Sequence, residues 1–202
     1  MNNLIDNPHP ILKIERKMIP LSIVEFTYAQ FIIQRDAMLA MGNSMESLQD
    51  KNFNLIGVKG CFALYSPIFF EALSLYIKPK LEKILGKKLH PTYSYGRIYK
   101  NKSKLAKHTD RHSSEIVVSV SLLKDIKWDF FIEYENEEVR VDLEPGDVVI
   151  YSGDTLPHWR EEYKGKEHVN CFLSYVYADG NYSHLKYDYR PYIATPPSKK
   201  IL

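Results

Sequence analysis

Cysteine is scarce in this sequence, which has only Cys61 and Cys171 among 202 residues. Two cysteines are too few for a disulfide-stabilised scaffold or for a cysteine-rich zinc site. The first dozen residues also lack a basic segment followed by an apolar one, so no secretory signal is expected there. These absences predict a cytoplasmic protein that folds around a hydrophobic core of its own.

Long apolar runs and an excess of one charge are missing as well. No apolar stretch approaches the ~20 residues that a membrane-spanning helix needs. The 27 basic and 25 acidic side chains are interleaved and nearly balance, which leaves a formal net charge of +2. Because nucleic-acid-binding proteins usually gather basic residues on one face, neither nucleic acid nor a membrane is an expected partner.

The sequence is rich in tyrosine and otherwise has the composition of an ordinary globular protein. Hydrophobic residues make up 45% and charged residues 26% of the chain, and 15 residues are tyrosines. Tyrosine suits β-strands and concave binding surfaces, where the ring buries carbon while the hydroxyl stays available for hydrogen bonding. A chain of this length is expected to form one compact domain.

The hydrophobic pattern before residue 90 has the spacing of helices. One helix is predicted from Ser22 to Met41, a stretch without glycine or proline. A second is predicted from Ser66 to Leu85, with Ser66 as the N-cap residue and Pro67 in the first turn. Pro79 is expected to kink or divide this second helix. Residues 1–89 are therefore predicted to form a helical support region.

After residue 90 the period of the pattern falls to two, which predicts β-strands. Seven short stretches are rich in β-branched and aromatic residues, a number typical of a barrel or sandwich. They are residues 93–99, 114–123, 129–134, 138–143, 147–151, 157–163 and 168–177. We therefore expect a mainly β (α+β) protein with a β core at residues 90–180. Residues 181–202 are expected to form a C-terminal extension that wraps the surface and then frays.

Two histidines and one aspartate are candidate metal ligands. His108 and Asp110 are two residues apart, so on a strand both would project to the same face, and His158 opens a later strand. A His-x-Asp tripeptide arises easily by chance. Here it precedes a strand, and the turn at Glu144–Asp147 brings the chain back before His158. A triad of two histidines and one carboxylate binds Fe(II) and leaves coordination positions open, so we predict an iron site.

Several motifs together resemble the prolyl-4-hydroxylase-like branch of the 2-oxoglutarate/Fe(II) oxygenases. They are Gly96–Tyr99, His108–Asp110, Pro145–Asp147 and His158, in the order of the family, and the resemblance covers roughly residues 90 to 178. It implies a double-stranded β-helix, or jelly roll, supported by N-terminal helices. It also implies Fe(II) as cofactor and 2-oxoglutarate and O₂ as co-substrates, with ascorbate as an accessory. The implied reaction hydroxylates a C–H bond and releases succinate and CO₂.

The resemblance leaves the substrate open. Peptidyl proline is the first expectation by family analogy, followed by a free amino acid or another small molecule. The expected partner is therefore a peptide or a small-molecule substrate. Two other classes of protein remain alternatives. One is a non-catalytic jelly-roll binding module, and the other is a cupin-like metal enzyme without 2-oxoglutarate, which would carry an extra histidine or glutamate ligand.

The sequence departs from the family at the residue that binds the 5-carboxylate of 2-oxoglutarate. The family usually has arginine or lysine about ten residues after the distal histidine, where this chain has His168. A buried carboxylate needs a cationic or strongly hydrogen-bonding partner. Three candidates follow: a protonated His168, Lys166 in the preceding loop, or Arg160 on the same strand face as His158. His168 is the first choice.

Five further residues are candidates for the pocket. By the resemblance, Tyr99 and Ser121 fall near co-substrate contacts, although both could simply fill the barrel. Tyr95 and Arg97 share the strand face of Tyr99 and are expected to line the mouth of the pocket. Arg111 follows Asp110 and is expected either to orient it, to meet an acidic substrate, or to be an exposed cation.

Overall fold

The computed structural model describes residues 10–43 and 61–196. These residues form ten β-strands and two α-helices. In chain order they are β1 (Leu12–Glu15), α1 (Leu21–Ala40), β2 (Phe62–Tyr65), α2 (Ile68–Leu85), β3 (Leu89–Lys100), β4 (Leu105–His108), β5 (Ile116–Lys124), β6 (Phe130–Tyr134), β7 (Glu137–Val141), β8 (Val148–Tyr151), β9 (His158–Arg160) and β10 (Glu167–Tyr177). Short 3-10 turns lie at His112–Ser114 and Ser183–Tyr189.

The strands form two antiparallel sheets. The larger has the order β1-β8-β5-β10-β3-β2, and the smaller has the order β4-β9-β6-β7. Strands that are distant in sequence become neighbours in both sheets, as in a jelly roll. The predicted fold class, a mainly β jelly roll with N-terminal helices, is therefore confirmed. Neither helix in the described part of the chain is long and apolar enough to cross a membrane.

The helices cover the outer face of the larger sheet. Phe31 of α1 and Phe70 of α2 are fully buried and contact each other edge to face, with ring centroids 5.0 Å apart. The same core contains Ile98 of β3 and Leu173 of β10. Gly96 lies beneath these rings, and a Cβ atom there would overlap the Phe70 side chain. The absence of a side chain at residue 96 therefore lets the helices approach the sheet.

The inner face of the larger sheet points into the barrel. On β3 it carries Tyr95, Arg97 and Tyr99, whereas Ile98 between them belongs to the helix-covered core. The register of β3 with β10 pairs Arg97 with Asn170 and Tyr99 with His168. Because successive residues of a strand face opposite sides, the polar inner residues alternate with the apolar outer ones.

Three strands and two details of α2 differ from the prediction. β1, β2 and β4 have four residues each and were not predicted: β1 and β2 lie in the region expected to be helical, and β4 falls between two predicted strands. Ser66 does not cap α2. It adopts a left-handed φ of 49°, and its Oγ accepts a hydrogen bond from the backbone N–H of Ser94 at 3.2 Å. Pro79 lies inside α2, which continues without a break.

The C-terminal extension is more than a surface wrap. Asp188 and Arg190 are buried, and Arg190 forms an ion pair of 2.7 Å with the buried Glu71 of α2. These contacts tie the segment to the helical layer, which local sequence pattern does not reveal. The end of the chain that was predicted to fray, at residues 197–202, lies outside the described residues.

Candidate metal centre

The three predicted ligands meet at one end of the barrel interior. His108 ends β4 and His158 begins β9, and the two are direct partners in the smaller sheet. Asp110 lies in the loop after β4, so the expectation that it shares a strand with His108 is wrong. The loop nevertheless brings its carboxylate to both rings, and the potential ligand atoms of the three residues all lie within 4.8 Å of one another.

Backbone carbonyls orient both imidazoles toward the carboxylate. The Nδ1–H of His108 donates to the carbonyl of Ala106 at 2.8 Å, and that of His158 donates to the carbonyl of Leu156 at 2.9 Å. Both Nε2 atoms are thereby left as lone-pair donors for a metal. They lie 3.6 and 3.7 Å from the two oxygens of Asp110.

Asp110 is positioned by a close approach of the backbone. Its N–H donates to the carbonyl of Gly153 at 2.8 Å. A Cβ atom at residue 153 would lie only 2.7 Å from the Oδ2 atom of Asp110 and 2.7 Å from the carbonyl oxygen of Ser114. Only a glycine at this position allows the Ser152–Asp154 turn to pack against the carboxylate.

The surroundings shift the pKa values of the two imidazoles in opposite directions. Burial lowers the pKa of His158 and outweighs the negative charge of Asp110. Burial lowers the pKa of His108 as well, but the carboxylate of Asp110 and the carbonyl of Ala106 together outweigh it, so the pKa of that ring is raised. A metal ion at this position needs both rings neutral, so its binding competes with protonation of His108.

A cavity opens beside the triad. Its empty volume is ≈ 570 Å³, including the part open to solvent. The walls are mainly aromatic, and the three candidate ligands stand at one side. The lining residues are Tyr93, Tyr95, Arg97, Tyr99, Leu105, His108, Asp110, Val117, Tyr151, His158, Phe172 and Ser174.

Four buried polar atoms farther inside the barrel have no hydrogen-bond partner among the described residues. They are Tyr99 Oη, Ser121 Oγ, Arg160 Nε and His168 Nδ1, and we call these four residues the donor cluster. Buried polar groups in folded proteins almost always have a partner. All four can donate a hydrogen bond, so the set has the chemistry of a site for an anion.

The donor cluster packs around Trp128. The indole lies 4.9 Å from the ring of Tyr99 and 5.2 Å from that of His168, measured between centroids, and the guanidinium carbon of Arg160 lies 4.5 Å from it. Ser121 reaches the same region because it is the register partner of Asn170, two residues from His168. The predicted co-substrate residues Tyr99, Ser121, Arg160 and His168 are thus neighbours in space.

Arg160, and not His168, supplies the positive charge in this cluster. Burial, reinforced by the charge of Arg160, lowers the pKa of His168 to about 2, so the ring is neutral. The protonated His168 expected as first choice is therefore not supported. Burial lowers the pKa of Arg160 to about 10, which still leaves it charged at neutral pH.

Asn170 links the two residues. In the orientation that satisfies all its partners, its amide donates to His168 Nε2 at 2.6 Å and its oxygen accepts from Arg160 Nη2 at 3.2 Å. With Nε2 as an acceptor, the single proton of the neutral ring is on Nδ1, which is the atom without a partner. His168 is thus a neutral donor in the cluster.

The remaining predicted residues lie in different surroundings. Lys166 is exposed in the loop before β10 and is not among the residues that line the cavity. Arg111 is not a free surface cation, because it donates to both carboxylate oxygens of the buried Asp188 at 2.8 and 2.6 Å. Tyr95 and Arg97 line the cavity together with the triad.

Sequence reasoning missed several residues of the site. Tyr151 lies against His158, with ring centroids 4.9 Å apart, and Tyr93 lies beneath the guanidinium of Arg111 at 4.3 Å. Asn170 could have been found, since it shares the strand face of His168. Ser152–Asp154 has the sequence of a turn, but no local signal marks the packing of Gly153 against Asp110 or the burial of Asp188, which come from contacts with distant segments.

Comparison with known proteins reveals the fold but no close relative. No family model matches the sequence, and no curated protein matches it. A prolyl-4-hydroxylase from Pseudomonas putida is similar in structure, with 12% identity, a TM-score of 0.58, and coverage of 81% of this chain and 91% of the other.

Two other solved structures are similar to this chain to a comparable degree. HygX from Streptomyces hygroscopicus, solved with nickel and 2-oxoglutarate bound, has 13% identity, a TM-score of 0.59, and coverage of 83% of each chain. The non-heme alpha ketoglutarate dependent epimerase SnoN from nogalamycin biosynthesis has 13% identity, a TM-score of 0.62, and coverage of 93% of this chain and 88% of the other. At these identities the likeness shows that the chain shares their fold.

Proposed function

We propose that this protein is an Fe(II)- and 2-oxoglutarate-dependent oxygenase that hydroxylates a C–H bond of its substrate. The observation that carries the proposal is the presence, in one barrel interior, of a His-Asp-His triad and a separate set of partnerless buried donors. The triad suits Fe(II), and the donors suit a carboxylate that reaches inward from the metal. The structural neighbours include 2-oxoglutarate-dependent proteins, which supports the proposal.

In this proposal His108, Asp110 and His158 hold the iron. Their Nε2 and carboxylate oxygen atoms already face one another, and carbonyl oxygens of the backbone hold both rings in place. Bound iron would supply the activation of O₂, which places one oxygen atom in the substrate and the other in succinate as CO₂ leaves. The aromatic walls of the cavity exclude water and hold the substrate next to the metal.

Arg160 is the proposed partner of the 5-carboxylate of 2-oxoglutarate. It is buried, and no carboxylate pairs with it in the part of the chain that the structure describes. Two residues of strand separate it from His158, a distance of about 6.6 Å. An extended five-carbon diacid that chelates the metal through its other end spans a similar distance. Tyr99, Ser121 and His168 would complete the site as neutral hydrogen-bond donors.

The two alternatives fit the site less well. A cupin-like enzyme would carry a fourth protein ligand, whereas the candidate metal group among the described residues has three members. A binding module would have no need to leave four buried donors without partners deep inside the barrel, because each costs about 1–3 kcal/mol when unsatisfied. Both features favour an enzyme with a co-substrate.

Removal of Asp110 tests this function. Under anaerobic conditions the parent protein with Fe(II) and 2-oxoglutarate should develop a weak visible charge-transfer band, and in air it should release succinate. Asp110→Ala should lose the band and at least 90% of succinate release, since two imidazoles alone leave the metal weakly held. Asp179→Ala, at an exposed loop carboxylate, is the matched control and should retain both. Equal succinate release by Asp110→Ala and the parent would refute the proposal.

A further inference from the structure

Arg97 is a second buried cation in the barrel interior. Its residue is 7% exposed and lines the same cavity as the metal triad. The guanidinium makes one hydrogen bond, to the Tyr95 hydroxyl at 3.4 Å, and stacks on the rings of Tyr95 and Tyr99 at 5.2 and 5.6 Å. None of the ion pairs in the described ranges 10–43 and 61–196 includes Arg97.

Other arginines in the interior of this protein are paired with carboxylates. Arg190 pairs with Glu71 at 2.7 Å and Arg111 with Asp188 at 2.6 Å. Of the three buried arginines in the described chain, Arg190 pairs with a carboxylate, whereas Arg97 and Arg160 do not. An unpaired buried charge is costly, which favours the binding of an external anion at each of the two guanidinium groups.

The two arginines lie in different parts of the interior. Arg160 belongs to the donor cluster, and it is not among the residues that line the open cavity. Arg97 lies in the cavity, between Tyr95 and Tyr99 on the inner face of β3. The co-substrate anion is accounted for by the donor cluster, which leaves Arg97 for the molecule that enters the cavity from solvent.

The charges of the complete site lead to the same result. Bound Fe(II) and Arg160 together carry three positive charges, and Asp110 and dianionic 2-oxoglutarate carry three negative ones. Arg97 then remains with one positive charge at a position that is only 7% exposed, where an opposite charge is favoured. A ligand with one negative charge would complete the neutralisation.

We propose that the prime substrate is a small acid with one free carboxylate, and that Arg97 binds this carboxylate. This inference rests on the proposed function. The planar guanidinium can donate two parallel hydrogen bonds to a carboxylate, and the hydroxyl of Tyr95 lies beside the guanidinium. Tyr93, Tyr151 and Phe172 provide apolar walls for the body of the acid. A proline residue inside a peptide has no such charge and would leave Arg97 buried without a partner.

The test uses carboxylic acids and their uncharged amides as probes. The anaerobic complex of the protein with Fe(II) and saturating 2-oxoglutarate is titrated with propanoate, benzoate and 3-phenylpropanoate, with the three matching amides, and with a proline-containing peptide blocked at both ends. The readouts are the position of the charge-transfer band and the melting temperature. In the parent protein at least one acid should change both readouts, and its affinity should be at least tenfold higher than that of its amide.

Three variants assign the effect to residues. Arg97→Gln should abolish the preference for the acid and leave the affinity for 2-oxoglutarate within about threefold of the parent, while Arg97→Lys should restore part of the preference. Arg160→Gln should weaken the binding of 2-oxoglutarate at least tenfold. It should keep the preference for the acid once 2-oxoglutarate is saturating. Arg140→Gln, at an exposed position of β7, is the matched control.

Distinct results would overturn the inference. It fails if every acid and its amide behave alike in the parent, if the blocked peptide binds as tightly as the best acid, or if the acids act by displacing 2-oxoglutarate. It also fails if Arg97→Gln weakens the binding of 2-oxoglutarate as strongly as Arg160→Gln does. In all these cases the parent still forms the band. If the parent forms no band with Fe(II) and 2-oxoglutarate, the proposed function itself is wrong and the inference falls with it.

Discussion

Asp110 is the candidate ligand whose position depends most on its neighbours. The two histidines lie at strand ends that pair in register, so the smaller sheet fixes their spacing. Asp110 lies in a loop and is held by a backbone hydrogen bond to Gly153. At the scale of single residues, the geometry of the triad therefore depends on one loop contact as much as on the strands.

Gly153→Ala should weaken metal binding. The added Cβ atom would meet the Asp110 carboxylate and the Ser114 carbonyl at 2.7 Å, so the loop or the carboxylate must shift. We expect the affinity for Fe(II) to fall by about 10- to 100-fold, as for other changes that disturb the support of a metal ligand. Anaerobic calorimetric titration with Fe(II) measures this, with far-UV circular dichroism to verify the fold.

Gly180→Ala is the control for this substitution. Gly180 lies in the turn after β10, outside the lining of the cavity, and its φ is not positive. The control should bind Fe(II) as the parent does. An unchanged affinity in Gly153→Ala would mean that Asp110 does not need the close approach of this loop.

At the scale of elements, β10 connects the two faces of the larger sheet. Its inner residues His168 and Asn170 belong to the polar interior, whereas Val169 and Cys171 pack in the core beneath the helices. Its partners are β3 and β5, which carry the other inner residues of the site. The strand therefore couples the stability of the helical layer to the geometry of the donor cluster.

The C-terminal segment also reaches the site. Asp188 accepts hydrogen bonds from Arg111, the residue next to Asp110, and from the hydroxyl of Tyr65 at 2.5 Å. Tyr187 and Asp188 adopt left-handed backbone conformations, with φ of 60° and 55°. Such conformations are unfavourable for residues other than glycine, and the buried ion pair of Asp188 offsets their cost.

Glu82 links the end of α2 to the start of β3. Its carboxylate accepts hydrogen bonds from Lys78 at 2.7 Å, from Lys88 at 3.2 Å and from the N–H of Leu89 at 2.9 Å. Burial alone would raise the pKa of Glu82, but these hydrogen bonds outweigh it and lower the pKa to about 2. The carboxylate therefore stabilises the folded state in its ionised form.

Glu82→Gln should remove a stabilisation that depends on pH. Because the pKa in the folded state is below the unfolded value of about 4.3, the contribution of Glu82 is fully present above that pH. It is lost as the pH falls toward 2. The free energy of unfolding of the variant should be lower than that of the parent at pH 7, and the two should converge in acid. Urea unfolding from pH 7 to pH 3 measures the difference.

Glu137→Gln, at an exposed position of β7, is the matched control for the pH series. A difference between Glu82→Gln and the parent that stays constant from pH 7 to pH 3 would contradict the assigned role. It would mean that Glu82 contributes through packing and not through its charge.

At the scale of the whole molecule, the site is enclosed by two sheets and stabilised from outside by two helices. The helix-covered core and the barrel interior share the larger sheet, whose residues alternate between them. Among the described residues, Arg97 has no carboxylate partner and the four residues of the donor cluster have unsatisfied donors, which disfavour the folded state without ligands. Binding of metal and anions is therefore expected to stabilise the entire domain.

Ligands should raise the melting temperature in a fixed order. At 100 times the dissociation constant, one ligand stabilises the native state by about 2.7 kcal/mol. For a domain of this size that corresponds to a rise of roughly 5–10 °C in melting temperature. Anaerobic scanning calorimetry should show a rise with Fe(II) and a further rise with 2-oxoglutarate. Without metal, 2-oxoglutarate should raise the melting temperature much less. An equal rise with and without Fe(II) would contradict chelation at the triad.

The sequence by itself determined the helices, the longer strands and the identity of the candidate ligands. These depend on local spacing: a period of 3.6 or two, and His108 and Asp110 placed just before a strand. The tertiary structure alone decided the order of the strands, the neutral state of His168 and the burial of Asp188. It also decided that Arg97 and Arg160 lie in the interior with no carboxylate paired to either of them in the part of the chain that the structure describes. Burial and charge pairing depend on which distant segments pack together, and no local pattern in the chain specifies that.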